Sequence, residues 1–230
     1  MNGLIQNSTT FGIVISIIGY EIGLLLRKKF NLAILNPLLI SIVFVIVGIS
    51  AVHIDYKAYN HSAQYLSYLL APATVSLAIP LYKNLKILQK NVVALMTGIF
   101  SGILANMACI LFLSLFFNLT HKEYITLLPK SITTVIGMGV SEEFGGIVAI
   151  TVAVIIITGI LGSIVSVTVF KFFRIVNPIA KGIALGTTSH AVGTAKAMEM
   201  GEVEGSVSSL AMIVCGILTL VGVSVFANFV

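Results

Sequence analysis

The chain has 230 residues, of which 58% are hydrophobic and only 9% are charged, and its net charge is +5. A soluble domain carries about 25% charged residues, so this composition excludes a globular domain or enzyme with a water-facing surface. The basic residues lie in short clusters at the ends of apolar runs, where topology signals of membrane proteins lie, so the positive charge does not indicate nucleic-acid binding.

Apolar runs long enough to cross a bilayer recur along the whole chain. They predict an all-α integral membrane protein, a single transmembrane domain over residues 1–230, with about seven transmembrane helices. The predicted helices are 9–27, 34–52, 64–83, 91–118, 146–173, 180–198 and 205–229.

An eighth apolar segment, 124–142, contains Pro129, Lys130, Gly137 and Gly139. If this segment re-enters without spanning, the 13 Lys and Arg residues divide nine to four between the two sides of the membrane. If it spans, they divide seven to six. The positive-inside rule therefore favours a re-entrant segment, an external N-terminus and a cytoplasmic C-terminus.

Two hydroxyl-rich interruptions, at 71–80 and 186–195, suggest an internal repeat, and the triplet Gly-Ile-Leu at 102–104 recurs at 216–218. With 124–142 re-entrant, the two halves of the chain run in opposite directions. The pattern predicts an inverted repeat of 1–118 and 119–230 with paired broken helices, an architecture typical of transporters. Chance similarity between apolar sequences is the alternative.

The first interruption contains Pro72 and Pro80, each of which removes a backbone hydrogen bond. In lipid the freed carbonyls must be satisfied by neighbours or line a cavity. Thr74 lies between the two prolines and is a candidate substrate-binding hydroxyl. The alternative is a kinked packing helix.

The second interruption begins at Pro129, which suits the first turn of a half-helix. The free N–H groups of such a turn and the neighbouring donors would suit a carboxylate. The predicted donors are Lys130, Ser131, Thr133 and Thr134. Glu142 and Glu143 follow and are candidates for carrying a coupling proton. The alternative is an external loop whose acids face water.

The third interruption is rich in small residues, with Gly186 and Gly193 permitting close backbone approach. Its candidate substrate-binding residues are Thr187, Ser189, His190 and Thr194. Because histidine titrates near neutral pH, His190 is also a candidate for the coupling proton. The alternative is a histidine that only bonds a neighbour.

Three runs together resemble the LrgB/CidB family over nearly the whole chain: Leu70 to Lys83, Pro129 to Glu143 and Gly186 to Glu202. The resemblance implies a multi-pass protein of the bacterial cytoplasmic membrane. Bacterial members are described as antiholin-like partners of a small holin-like membrane protein that regulate murein hydrolase activity and autolysis. A plastid relative exchanges glycolate and glycerate, and bacterial members have been linked to pyruvate movement.

The residues therefore predict a membrane transporter of short monocarboxylates such as pyruvate, glycolate or lactate, coupled to protons. An antiholin-like regulator acting with a holin-like partner is the alternative. We expect no enzymatic activity, cofactor, metal site or nucleic-acid partner. The expected partners are the carboxylate, the bilayer, a small holin-like protein and a second copy of the chain. The sequence leaves the substrate, the coupling ion and the direction of transport open.

Overall fold

The computed structural model describes residues 8, 10–30 and 35–230, without the side chains of Leu70 and Thr74. All regular secondary structure in this part of the chain is helical, as predicted. The chain divides into two compact units, Met1–Ser76 and Leu77–Val230. The single domain and the repeats of 1–118 and 119–230 stay predictions.

The first unit contains α1 (Phe11–Phe30), α2 (Pro37–Ala51), α3 (Tyr56–Ala63), a 3-10 helix (Gln64–Leu69) and α4 (Leu70–Ser76). Glycines on one face of α1 let α2 pack closely and antiparallel to it. Gly19 lies against Ser41, and a Cβ at Gly23 would be 2.7 Å from the Cα of Pro37. The side chain of Asn36 caps α2 and Pro37 occupies its first turn, where a missing N–H costs nothing.

The second unit contains the rest of the helices. They are α5 (Ala78–Lys83), α6 (Leu85–Lys90), α7 (Val92–Phe116), α8 (His121–Leu127), α9 (Thr134–Glu143), α10 (Val148–Phe172), α11 (Pro178–Met200), α12 (Glu202–Phe226) and a final 3-10 helix (Ala227–Phe229).

Four helical stretches among the described residues are long and apolar enough to cross a membrane: Tyr56–Lys83, Val92–Phe116, Val148–Phe172 and Glu202–Phe229. Three of them, α7, α10 and α12, form the frame of the second unit and turn large apolar side chains outward. Phe112, Leu161 and Ile217 are 66%, 55% and 59% exposed. Outward apolar surface on helices of this length suits lipid rather than water.

The segment between α7 and α10 is a helical hairpin, residues 121–143, which we call the first hairpin. The main-chain N–H of Ile147 donates to Thr126 Oγ1 at 2.8 Å, so the chain returns to where it entered. The seven residues of α8 and ten of α9 are about 10 and 15 Å long. Each is too short for a hydrocarbon core of about 30 Å.

Helix α11 also reverses direction, and we call residues 178–200 the second hairpin. His190 has non-helical angles, φ 38° and ψ −125°, and a Cβ at Gly193 would collide with the carbonyl of Leu185. Gly182 and Gly186 face Val207 and Ala211 of α12, whereas Gly205 of α12 faces Met198. The first arm therefore runs parallel to α12 and the second runs antiparallel to it.

This reversal corrects the predicted topology, because 180–198 is not one continuous crossing. Tyr124 at the start of the first hairpin donates to the carbonyl of Phe226, whereas Lys83 pairs with Glu202. Helices α7 and α12 are thus parallel. The C-terminus lies at the end of the unit opposite to Lys83. The positive-inside rule applied to this fold therefore favours an external C-terminus, and not the cytoplasmic one predicted from the sequence.

The basic residues of the second unit concentrate at the end where α7 and α12 begin. Every Lys and Arg of this unit apart from Lys122 and Lys130 lies at or near that end: Lys83, Lys86, Lys90, Lys171, Arg174, Lys181 and Lys196. The reversal of α11 keeps both of its ends there. The charge asymmetry that suggested a re-entrant segment is therefore greater with two hairpins than with one.

A repeat shorter than the predicted one is visible in the second unit. Gly-Ile-Leu occurs not only at 102–104 and 216–218 but also at 159–161, so the triplets are 57 residues apart. Their glycines lie in α7, α10 and α12, and each faces a hairpin: Gly102 and Gly159 face Thr187 and His190, and Gly216 faces Ile136. The long helices α7, α10 and α12 therefore alternate with the two hairpins, and each helix–hairpin unit is about 57 residues long.

Candidate functional site

The loop tips of the two hairpins meet between α7 and α12. The Sγ atom of Cys215 lies 3.8 Å from the carbonyl oxygen of Ser131 and 3.9 Å from that of Thr187. Cys215 is about 20 Å from the start of α12 and about 17 Å from its end. The two tips therefore meet near the middle of a membrane-spanning helix.

The side chain of Lys130 lies at this meeting point. Its ammonium donates to Asn106 Oδ1 at 2.6 Å and to Ser131 Oγ at 3.3 Å. Asn106 is about 21 Å from the start of α7 and about 15 Å from its end, so the charge lies at mid-depth. The ion pairs found within the described residues join Lys83 to Glu202 and Lys196 to Glu199, so no carboxylate there neutralises Lys130.

A small cavity opens beside the ammonium. It is lined by Ile103, Asn106, Met107, Leu128, Ser131, Cys215 and Thr219, and its volume is about 10 Å³. That is room for about one water molecule. A carboxylate of two or three carbon atoms needs one of the hairpin tips to move before it can bind here.

The predicted hydroxyls of the second hairpin point to several neighbours rather than to one cavity. Ser189 is fully buried against Gly162 of α10, and Thr194 Oγ1 lies 2.9 Å from Ser208 Oγ of α12. Thr187 donates to the carbonyl of Ile183 at 2.8 Å. The close approach of Ser189 to α10 and the Thr194–Ser208 bond to α12 place the hairpin between these two helices, whereas the Thr187 bond stays within the hairpin.

His190 occupies the reversal itself. Its Nε2 lies 3.1 Å from the carbonyl oxygen of Ile155, and a Cβ at Gly159 would be 2.8 Å from its ring. A non-glycine residue at φ 38° is uncommon and is found mostly where the surroundings enforce it. The imidazole is thus wedged against α10, next to the hairpin tips but outside the cavity beside Lys130.

Of the other residues predicted in the first hairpin, only some lie near the meeting point of the two tips. Thr133 and Thr134 begin α9 at the tip of the first hairpin, half-buried, and no side-chain bond caps the helix there. Glu142 and Glu143 are exposed at the other end of α9, away from the tip. Pro129 was predicted in the first turn of a half-helix, but it lies in the turn between α8 and α9, five residues before α9 begins.

The stretch that contains Pro72, Thr74 and Pro80 is interrupted at Leu77, where two helices end and begin. Pro72 belongs to the first unit, and the side chain of Thr74 lies outside the described residues. The carbonyl of Pro80 accepts from Ser206 Oγ at 2.7 Å and Asn84 Nδ2 at 3.0 Å. The main-chain N–H of Asn84 also donates to this oxygen, at 3.1 Å. The carbonyl that Pro80 deprives of a helical donor is instead that of Ser76, four residues earlier.

Two polar features escaped the sequence reasoning. Asn106, the partner of Lys130, is the one amide in an otherwise apolar stretch of α7, and that isolation was a usable signal. The second is a buried cluster in which Thr151 Oγ1 donates to the carbonyl of Thr126 at 2.9 Å and lies 2.7 Å from Ser141 Oγ. This cluster ties both arms of the first hairpin to α10.

Fold and site together define an all-helical, multi-pass membrane protein with two helical hairpins that meet at a half-buried lysine. The chain belongs to the LrgB-like family, whose profile matches residues 16–229. It is similar to proteins named antiholin-like protein LrgB from Bacillus mycoides and Bacillus cereus, at 36% identity over 221 residues, with 96% of each chain covered. A protein of the same name from Bacillus anthracis matches equally. No solved structure matches the chain.

Proposed function

We propose that the chain carries short monocarboxylates, of the pyruvate, glycolate and lactate class, across the bacterial cytoplasmic membrane, and that it is not an enzyme. The observation that supports this most is the Lys130 ammonium, held at mid-depth by Asn106 and Ser131 without a carboxylate partner among the described residues. Lys130 is half-buried, and a charge at membrane depth without a counter-ion is costly. An entering carboxylate would neutralise it.

The two hairpins support alternating access, in which the site opens to one side of the membrane and then to the other. Half-helix ends that meet near the midplane, arranged in inverted order, are the sites at which many transporters bind solute. The free N–H groups at the start of α9 add donors for an anion. The cavity of about 10 Å³ corresponds to a state closed around the site, from which either hairpin would open.

Proton coupling belongs to the same proposal. The candidate groups are His190, which lies at the second tip, and Glu142 or Glu143. The placement favours His190, because both glutamates are exposed at the far end of α9. Protonation of one group on loading would balance the negative charge that the substrate brings.

The second candidate function is antiholin-like regulation, and the comparisons favour it over transport, since the relatives are named antiholin-like protein LrgB. In this proposal the chain acts with a small holin-like membrane protein to restrain murein hydrolase activity and autolysis. Large apolar side chains on the outer faces of α7 and α12, such as Phe112 and Ile217, would then contact that partner instead of lipid alone.

Uptake into proteoliposomes separates the two functions. The purified chain alone, reconstituted without a partner, should accumulate labelled pyruvate, glycolate or lactate, and unlabelled short monocarboxylates should compete. If no carboxylate enters, while expression of the chain with a holin-like partner slows autolysis and the two proteins co-purify, regulation is the function.

A further inference from the structure

A groove at the basic end of the second unit lies between the end of α10 and both ends of the second hairpin. Its volume is about 500 Å³, and its floor is apolar, formed by residues such as Val167, Phe170 and Met200. Three cations, Lys171, Arg174 and Lys181, also line it. We propose that this groove, which we call the basic groove, binds an anionic phospholipid.

The three cations are available to a ligand. Lys171 and Arg174 are exposed and Lys181 is half-buried. The ion pairs of the described residues involve other lysines, so no acid neutralises these three. Three positive charges around one opening attract a phosphate more strongly than any single surface lysine does.

The backbone at Arg174 is unusual. Its φ is 53°, a left-handed conformation that glycine favours at the end of a helix. The N–H of Ile175 donates to the carbonyl of Phe170 at 2.8 Å, which closes the last turn of α10. Glycine would adopt this conformation with less strain. The arginine found here instead places a guanidinium beside the groove.

The depth of the groove explains why the ligand is a lipid and not free phosphate. Helix α10 is long enough to span a membrane and its last turn contains Lys171, so the cations lie at the level of the headgroups. The apolar floor lies deeper, where acyl chains lie. Phe172 and Val176 beside the opening are 79% and 81% exposed, which suits the bilayer interface.

The test uses the full chain in neutral detergent, with phosphatidylglycerol, phosphatidylcholine and inorganic phosphate as probes. We expect phosphatidylglycerol to raise the unfolding temperature and to remain bound in native mass spectrometry, and the other two probes to do neither. Each cation near an anionic surface contributes about fivefold in affinity. The variant K171Q/R174Q/K181Q should therefore bind phosphatidylglycerol about a hundredfold more weakly.

Two further variants make the result decisive. K86Q/K90Q/K122Q removes the same charge from exposed positions outside the groove and should bind like the parent chain. K171R/R174K/K181R keeps the charge and should also bind like the parent. Equal weakening in K86Q/K90Q/K122Q, unchanged binding in K171Q/R174Q/K181Q, or equal stabilisation by inorganic phosphate would overturn the proposal.

Discussion

Gly193 packs against the main-chain carbonyl of Leu185, although eight residues of continuous α-helix would separate them by about 12 Å. The second hairpin exists because of this reversal. It places Lys181 and Lys196 at the same end of the second unit, and Asn228 at the opposite end.

Labelling with membrane-impermeant maleimides tests which side of the membrane each of these positions faces. In a chain with C109S and C215S, single cysteines at Lys171, Lys181 and Lys196 should be labelled from the same side, and one at Asn228 from the other side. The basic end should be cytoplasmic. Labelling of positions 181 and 196 from opposite sides would show that α11 crosses the membrane and would remove the second hairpin.

Close packing of the second hairpin against α12 depends on glycine. A Cβ at Gly186 would be 2.5 Å from the carbonyl of Ser208 and 2.8 Å from the Cβ of Ala211. We expect Gly186→Ala to lower the free energy of unfolding by about 1–3 kcal/mol. Gly139→Ala is the matched control, since nothing lies within 4 Å of its Cβ, and it should stabilise by about 0.4–1 kcal/mol. Thermal unfolding in detergent measures both, and equal effects would refute the packing argument.

The capping box of α8 predicts a pH dependence. Thr120 N and Oγ1 both donate to Glu123 Oε2 at 2.8 Å. These two bonds lower the pKa of Glu123 below its usual value of 4.5, and the bond from the backbone N–H has the larger effect. Because the folded pKa is the lower one, the carboxylate stabilises the fold above about pH 4.5 and this contribution is lost as the pH falls through the lowered pKa. Glu123→Gln should therefore be less stable than the parent near neutral pH and equal to it in acid. Glu143→Gln, at an exposed site without such a cap, is the control; a Glu123→Gln deficit that persists unchanged in acid would contradict the argument.

The sequence predicts the first hairpin better than the second. Pro129 and Lys130 in an apolar segment mark the first hairpin, because proline and charge are visible signals in such a run. The second was predicted to be broken, but nothing in Thr187 to Thr194 shows that the chain turns back. That reversal depends on His190 adopting a glycine-like backbone and on Gly159 leaving space for its ring. These are tertiary contacts that a local pattern does not contain.

The site shows the same division. Lys130 and Ser131 were predicted together because they are adjacent in the chain and both donate. Asn106 and Cys215 come from distant helices, and only the fold brings them to the tip. Ser189 and Thr194 were predicted to be donors to one substrate, and the sequence did not reveal that they face Gly162 and Ser208 on different helices.

The proton role of His190 can be tested without disturbing the backbone. Glycine suits φ 38° better than alanine does, so His190→Gly is the appropriate variant. We expect it to fold and insert, and to transport with a flattened pH dependence. An unchanged pH profile would assign the proton to another group, with Glu142→Gln and Glu143→Gln as the next variants to measure.

The hydroxyl donors should affect substrate affinity more than the maximal rate. The Ser131 hydroxyl accepts from Lys130 at 3.3 Å, so its own O–H is left to donate to a carboxylate. A hydrogen bond to a charged group is worth about 1.5–3 kcal/mol. Ser131→Ala should therefore raise the KM for a monocarboxylate about ten- to a hundredfold in proteoliposome uptake. Ser189→Ala, predicted from the sequence to do the same, should have a smaller effect because Ser189 faces Gly162. Equal effects of the two variants would show that both hydroxyls reach the substrate.

Lys130 tests the central claim most directly, and Lys122, an exposed lysine at the start of the same hairpin, is its matched control. Monocarboxylate uptake into proteoliposomes should be measured for the parent chain, Lys130→Gln and Lys122→Gln under one pH gradient. If Lys130 is the cation that receives the carboxylate, Lys130→Gln should lose uptake by at least a hundredfold in kcat/KM, and Lys122→Gln should match the parent. Parent-like uptake by a folded and inserted Lys130→Gln chain would contradict the account.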